Sequence, residues 1–284
     1  MYSVDLHTHS HFSDGTLSPT DLVRAALGAG VTALALTDHD CIDGWAEAEH
    51  AAQGTSLRLI RGVELSAQWV KPQGSKPNAV HIVGLNITDA APLSAALIDQ
   101  QQIRAQRAEQ ICQKLAAHLK CPDPWSAVVA LADGRPEGVT RSHIATWLVQ
   151  QGRVQRHQQA FDRWLAEGKP AYVGLAWMSM QHAIDVIAAS GGVSVLAHPT
   201  RYGLSATNTR HLIAAFARMG GQAVELPASN EPPATRQMID RVIAEHGLMV
   251  SIASDFHGEH MPWIKLGRVP YPRDDQRGVW HSWV

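Results

Sequence analysis

Tyr2-Ser3-Val4-Asp5-Leu6-His7-Thr8-His9 is a short, mostly apolar run that stops at imidazoles, and the chain repeats the pattern. Residues 33–37 lead into Asp38-His39-Asp40, 57–63 into Glu64, 79–80 into His81, 193–197 into His198-Pro199, and 249–254 into Asp255-Phe256-His257. Each run is rich in Val, Ile, Leu and Ala and bounded by Gly, Asp or Pro, so each reads as a buried parallel strand. In a β/α barrel the strand C-termini converge on one face, where catalytic residues gather. Six strand ends carrying imidazole or carboxylate would therefore build one metal-rich pocket from groups far apart in sequence.

The rest of the chain supplies the helices such a barrel needs. Ser18-Pro19 caps a helix that runs to Ala29, and another is expected over 43–52. Segments 57–67 and 80–86 read as strands, with Lys71 to Pro77 as the turn between them. Residues 94–119 form one long Gln- and Arg-rich helical pattern, followed by shorter helical patterns at 143–150 and 157–166. Alternation returns with helices at 180–190, 207–219 and 233–246 and strands at 193–197, 223–226 and 249–254. The expected fold is α/β: seven strands over 1–90 and 176–284, with 91–175 as a helical insertion covering the barrel mouth.

The 284 residues are 45% hydrophobic, enough for one large domain, and a net charge of -2 gives no global basic field. Cys41, Cys112 and Cys121 show no CxxC spacing and read as reduced thiols. Neither a signal-peptide pattern nor a run of about 18 apolar residues is present, so a cytoplasmic protein is expected.

His7 and His9 stand at i and i+2 on a strand, so both rings can reach one ion. Taken alone, an H-x-H pair is weak evidence, and His81 alone would read as a buried, hydrogen-bonded histidine. The ordered set is far more specific: DLHTHS at 5–10, SDG at 13–15, TDHD at 37–40, GVELS at 62–66, HIVGL at 81–85, AHP at 197–199 and SDFH at 254–257. With these motifs the sequence resembles the PHP (polymerase and histidinol phosphatase) family of metal-dependent phosphoesterases. It looks most like the stand-alone branch acting on nucleotides, which includes 3',5'-nucleotide bisphosphate phosphatases and 5'-3' exoribonucleases.

That resemblance implies a distorted (β/α)7 barrel with two or three divalent ions at the strand C-termini. One would take His7, His9, Glu64 and Asp255; a second would share Glu64 and add His81 and His198; a third would take Asp14, His39 and His257. Imidazole and carboxylate suit Mn, Zn or Fe, with Mn favoured by the oxygen ligands and phosphate chemistry. The ions polarise the phosphoryl oxygens and activate water for in-line attack. The catalytic assignment falls on Glu64, His198 and Asp255, with His198 and a metal-bound water as alternatives for protonating the leaving oxygen. Asp38 and Asp40 read as supporting or capping groups, and His11 as a turn residue.

Arg141 and His143 open a short helix, where free N–H groups and a cation together attract phosphate. The nucleotide-acting branch has an Arg-x-His-Ile-Ala pattern at this point. Lys169 and Arg201 are further phosphate candidates, with Arg135 behind them. The function this implies is removal of a phosphate from a nucleotide, foremost the 3'-phosphate of a nucleoside 3',5'-bisphosphate, and also action on short 5'-phosphorylated RNA. No obligate protein partner and no membrane are expected. Histidinol-phosphate phosphatase is the alternative enzyme, and a polymerase-associated PHP module, non-catalytic or proofreading, is the alternative of another class.

Overall fold

The computed structural model describes residues 3–74, 76–174 and 177–283. Tyr2 in the first expected strand, Ser75 in the expected turn, and the expected insertion boundary at 175/176 lie outside them.

Seven strands curl into one sheet: β1 (Val4–Thr8), β2 (Ala33–Leu36), β3 (Arg58–Val70), β4 (Pro77–Leu85), then β6 (Val193–Leu196), β7 (Ala223–Glu225) and β8 (Met249–Ser251). The short β5 (Met178–Ser179) pairs only with Ala67 and Gln68 of β3. Every residue of β1 and β2 is buried, which explains their continuous rather than alternating hydrophobicity. The sheet closes where β1 meets the segment after β8. Leu6 N donates to Ile252 O (3.1 Å), Asp255 N to His7 O (3.0 Å) and His9 N to Phe256 O (2.9 Å). The result is the distorted seven-stranded barrel that the family resemblance implied.

One strand corrects the sequence reading. β4 is antiparallel to both β3 and β6, with Gly62 opposite Leu85, Val70 opposite Pro77, and Ile82 opposite Leu196. A parallel return needs a crossover of a dozen or more residues; the short segment 71–76 permits only a hairpin. The reversal determines where His81 lies. It sits midway along its strand, where the antiparallel register sets it opposite Ser66, two residues beyond Glu64 on β3.

Outer helices α1 (Pro19–Gly28), α2 (Trp45–Ala52), α7 (Met180–Ala189), α8 (Ala206–Arg218) and α9 (Pro233–His246) surround the sheet. The Ser18 hydroxyl caps α1 by accepting from Asp21 N at 3.0 Å, with Pro19 in its first turn. Between β4 and β5 lie α3 (Ala91–Leu119), α4 (Trp125–Ala130), α5 (Arg141–Gln150) and α6 (His157–Ala160), which runs into a π turn at Phe161–Leu165. α3 serves two cores: Leu93 and Leu97 pack with the barrel, while Ile111 and Leu115 pack with Val128, Ile144, Leu148 and Leu165. No helix among the described residues is long and apolar enough to cross a membrane.

Candidate metal centre and anion pocket

The barrel gathers all nine expected ligands. His7, His9, Asp14, His39, Glu64, His81, His198, Asp255 and His257 fall into overlapping groups whose N and O atoms lie within 4.8 Å of one another. Glu64 is central. Its Oε2 lies 3.2 Å from His7 Nε2, 3.3 Å from His9 Nε2 and 2.9 Å from His39 Nδ1. Its Oε1 lies 2.8 Å from His81 Nδ1 and 3.0 Å from His198 Nε2. Asp14 Oδ1 lies 3.3 Å from His257 Nε2 and 3.7 Å from His39 Nε2. The groups overlap more than the three-ion assignment implied: His9 also joins the Asp14, His39 and His257 set, and His39 also joins Glu64 and His81.

These atoms fit a metal better than one another. Six of the nine residues present a buried N or O with no hydrogen-bond partner: His7, His9, Asp14, His39, Glu64 and His198. Orphaned buried polar atoms are costly and rare, and here all except His198 Nδ1 face another ligand atom of the cluster. His7 Nε2, His9 Nε2, Glu64 Oε2 and Asp255 Oδ1 stand 3.2–3.6 Å apart across the pairs His7–Glu64, His9–Glu64, His7–Asp255 and His9–Asp255. A tetrahedron with metal–ligand bonds of about 2.1 Å has edges of about 3.4 Å, so the spacing suits an ion at the middle.

Electrostatics point the same way. Burial alone would raise the Glu64 carboxyl, yet His39, His81 and His7 hold it well below the usual range. Burial and the neighbouring His257 push His9 down to about 3, leaving a neutral ligand. Burial would lower His257 too, but Asp14 and Asp255 outweigh it and lift the ring to about 10.

The backbone is shaped around the centre. His198 (φ 26°), Asp255 (φ 57°) and Asp40 (φ 46°) occupy the left-handed region, a conformation that costs non-glycine residues about 1–3 kcal/mol and clusters at functional sites. Gly15 of the SDG motif can only be glycine, because a Cβ there would meet His9 O at 2.3 Å. Asp38 accepts from Ser10 N (2.8 Å), Ser10 Oγ (2.7 Å) and Ser13 Oγ (2.6 Å), fixing the loop that carries Asp14.

Sequence reading missed three features. Glu225, at the end of β7, lies 2.8 Å from His7 Nδ1 and so orients the ring whose Nε2 faces Glu64. The signal was available, since 223–226 is one more apolar run carrying a carboxylate. Tyr202 is the second: its hydroxyl donates to Ala197 O (2.8 Å) and accepts from His81 N (2.8 Å), tying together the segments that carry His81 and His198. Arg104 and Arg107 on α3 are the third.

Those arginines belong to a cavity of 340 Å³ that the metal cluster shares with the helical segment. Asp14, His39, Glu64, His81, His198, Asp255 and His257 line one part; Arg104, Arg107, Arg141, Phe161 and Trp177 line another. Arg104 donates to Asp40 and to Ser66 Oγ, joining α3 to the barrel loops. Arg107 and Arg141 have no carboxylate partner among the described residues. Their guanidinium carbons lie 5.5 Å from the Trp177 and Phe161 ring centroids respectively. Burial, with Arg141 and Arg104 adding repulsion, pushes Arg107 down to about 10. Two half-buried guanidiniums without a carboxylate partner, Arg107 bonded only through Nε to Val173 O (3.3 Å), suit an anion.

The expected phosphate residues divide. Arg141 lines the cavity, as does Arg201, which donates to Asp255. His143 does not: its Nδ1 accepts from Thr140 N (3.0 Å) as part of a capping box, and the ring lines a neighbouring cavity. Lys169 is exposed at the turn its N–H closes onto Ala166 O and lines neither cavity. Arg135 donates to Phe12 O and His11 O and acts as a structural pin. His11 pairs with Asp133 (2.8 Å) and belongs to none of the ligand groups among the described residues.

Residues 5–176 match the PHP domain. This chain belongs to the PHP domain family. A 5'-3' exoribonuclease of Haemophilus influenzae is 42% identical over 265 residues, covering 93% of each chain. A 3',5'-nucleoside bisphosphate phosphatase of Chromobacterium violaceum is 36% identical over 264 residues, 90% of this chain and 88% of its own. Among solved structures, a Chromobacterium violaceum amidohydrolase with bound sulfate and no metal superposes on this PHP protein with a TM-score of 0.89. Identity is 34%, and the match covers 99% of this chain and 95% of the other.

Proposed function

We propose that this PHP protein is a metal-dependent phosphoesterase that removes the 3'-phosphate of a nucleoside 3',5'-bisphosphate and also accepts short 5'-phosphorylated RNA. One observation carries the reading: a single cavity has a metal-ligand cluster on one side and the unpaired Arg107 and Arg141 on the other. A substrate with two phosphates matches both. The relatives named for bisphosphates and for RNA support the choice, since each such substrate presents a 5'-phosphate one sugar away from the bond to be cut. Histidinol phosphate carries one phosphate and would leave the arginines unpaired.

The nine ligands would hold two or three divalent ions, which would supply Lewis acidity and a water of lowered pKa; among the ions that six imidazoles and three carboxylates accept, Mn suits the phosphate chemistry. Arg201, held by Asp255, stands beside the scissile phosphate and balances charge that grows on its oxygens. Arg107 and Arg141 grip the second phosphate and set the distance between it and the metals. Helices α3 to α6 act as a cap that keeps bulk water away, strengthening each of these contacts. Glu64, His198 and Asp255 remain the residues on which chemistry is assigned.

The test compares a nucleoside 3',5'-bisphosphate, a nucleoside monophosphate, histidinol phosphate and an aryl phosphate on wild type and Arg141→Ala. A charge-assisted contact contributes about 1.5–3 kcal/mol, so kcat/KM for the bisphosphate should fall by roughly one to two powers of ten. The aryl phosphate should hardly change. Equal losses on all four would assign Arg141 to the fold, and a wild-type preference for histidinol phosphate would overturn the nucleotide reading.

A further inference from the structure

Two further cavities flank the metal centre, and their chemistry differs. One meets the main cavity at Asp14 and Ser142 and is lined by His11, Asp133, His143, His157 and His260. It offers two carboxylates and neither Lys nor Arg among the described residues. The other meets the main cavity at Arg201, the residue bonded to Asp255, and is a groove of 690 Å³. Trp263, Lys265 and Arg268 line it, and its one carboxylate, Glu231, accepts a hydrogen bond from Thr200 Oγ1 at 2.6 Å.

Trp263 is anomalous. It is 70% exposed, whereas Trp45, Trp69, Trp147, Trp177, Trp280 and Trp283 are buried. A large ring left in water beside two exposed cations, in a groove that starts at the metal centre, is the combination that binds single-stranded nucleic acid. Bases stack on an aromatic face while lysine and arginine track the phosphates. Resting on the phosphoesterase reading above, we propose that this groove holds the 3' portion of a single-stranded oligoribonucleotide. The first nucleotide would sit in the main cavity with its 5'-phosphate on Arg107 and Arg141. The chain would then pass the metals at the bond to be cut and leave past Arg201 over Trp263, Lys265 and Arg268. The cavity beyond Asp14 and Ser142 offers a polyanion neither Lys nor Arg among the described residues.

The groove therefore separates the two substrate classes. A nucleoside bisphosphate ends at the metal centre and never reaches Trp263, whereas an oligonucleotide does. The experiment measures steady-state kinetics of the Mn-loaded enzyme on a nucleoside 3',5'-bisphosphate and on a 5'-phosphorylated pentaribonucleotide. Wild type is compared with Trp263→Ala and with the Lys265→Ala/Arg268→Ala double variant. All three side chains are exposed, so the variants should fold and bind metal as wild type does. The expected result is bisphosphate kinetics within twofold of wild type, with KM for the pentanucleotide raised about tenfold by either variant. The double variant should also show a flatter dependence of pentanucleotide KM on salt, by about two charges.

Unchanged pentanucleotide kinetics, or an equal loss on both substrates, would overturn the groove. A wild type that hydrolyses the bisphosphate but not the pentanucleotide would overturn the groove together with the RNA activity, and leave the bisphosphate phosphatase reading standing. A wild type inert on both would remove both.

Discussion

Glu225 shows how much of the centre depends on residues that need not touch an ion. Its carboxylate, 2.8 Å from His7 Nδ1, holds the ring so that Nε2 faces Glu64. Replacing it with Gln should weaken metal binding by about 10–100-fold, with activity lost at stoichiometric Mn and regained in excess Mn. Activity that stays low at saturating metal would instead give Glu225 a direct role with substrate. Glu64 is the sharper case, because its two oxygens face different histidines. Glu64→Ala should lose more than one equivalent of bound metal and nearly all turnover; full metal content by elemental analysis would refute the assignment. Arg107 could not be picked out in advance, because on a long Arg- and Gln-rich helix only the fold decides which side chain meets the cavity.

At the scale of elements, the strand ends set a pH dependence. Imidazole ligates only when neutral, and in the metal-free protein Asp14 and Asp255 overcome burial to lift His257 from 6.5 to about 10. Below about pH 10, filling the position formed by Asp14, His39 and His257 should therefore release a proton. Apparent affinity should rise with pH, by up to about tenfold per unit for that proton. Calorimetric titration with Zn in two buffers of different ionisation enthalpy counts the protons; none released would exclude His257 as a ligand. The strands bearing these groups were legible because buried strands leave apolar runs that Gly, Asp and Pro punctuate. The direction of β4 was legible in principle, since 71–76 is too short for a crossover, but the parallel rule of the other strands masked it. His143 and Lys169 were misplaced for a simpler reason: a motif names a residue, while its rotamer and the turn it sits in decide where the side chain goes.

Across the whole molecule, two cores divide the labour. Ile144 is fully buried in the helical core and forms part of the wall of the cavity that the metal cluster shares. Ile144→Ala should cost that core about 2–5 kcal/mol, raising KM for the bisphosphate while bound metal stays at the wild-type level. Loss of metal in that variant would show that the cap and the barrel are not energetically separable. The barrel has a weak line of its own, because the junction of β1 with the segment after β8 rests on a few amide bonds from Leu6, His9 and Asp255. His7 and His9 stand on one bank of that junction, Asp255 and His257 on the other. An ion bound between them would work as a clasp on a ring, cross-linking positions some 250 residues apart, where the entropic benefit of a tie is largest. Chelation should then open the ring at its clasp before it melts anywhere else, and hydrogen exchange at the amides of Leu6, His9 and Asp255 should quicken first.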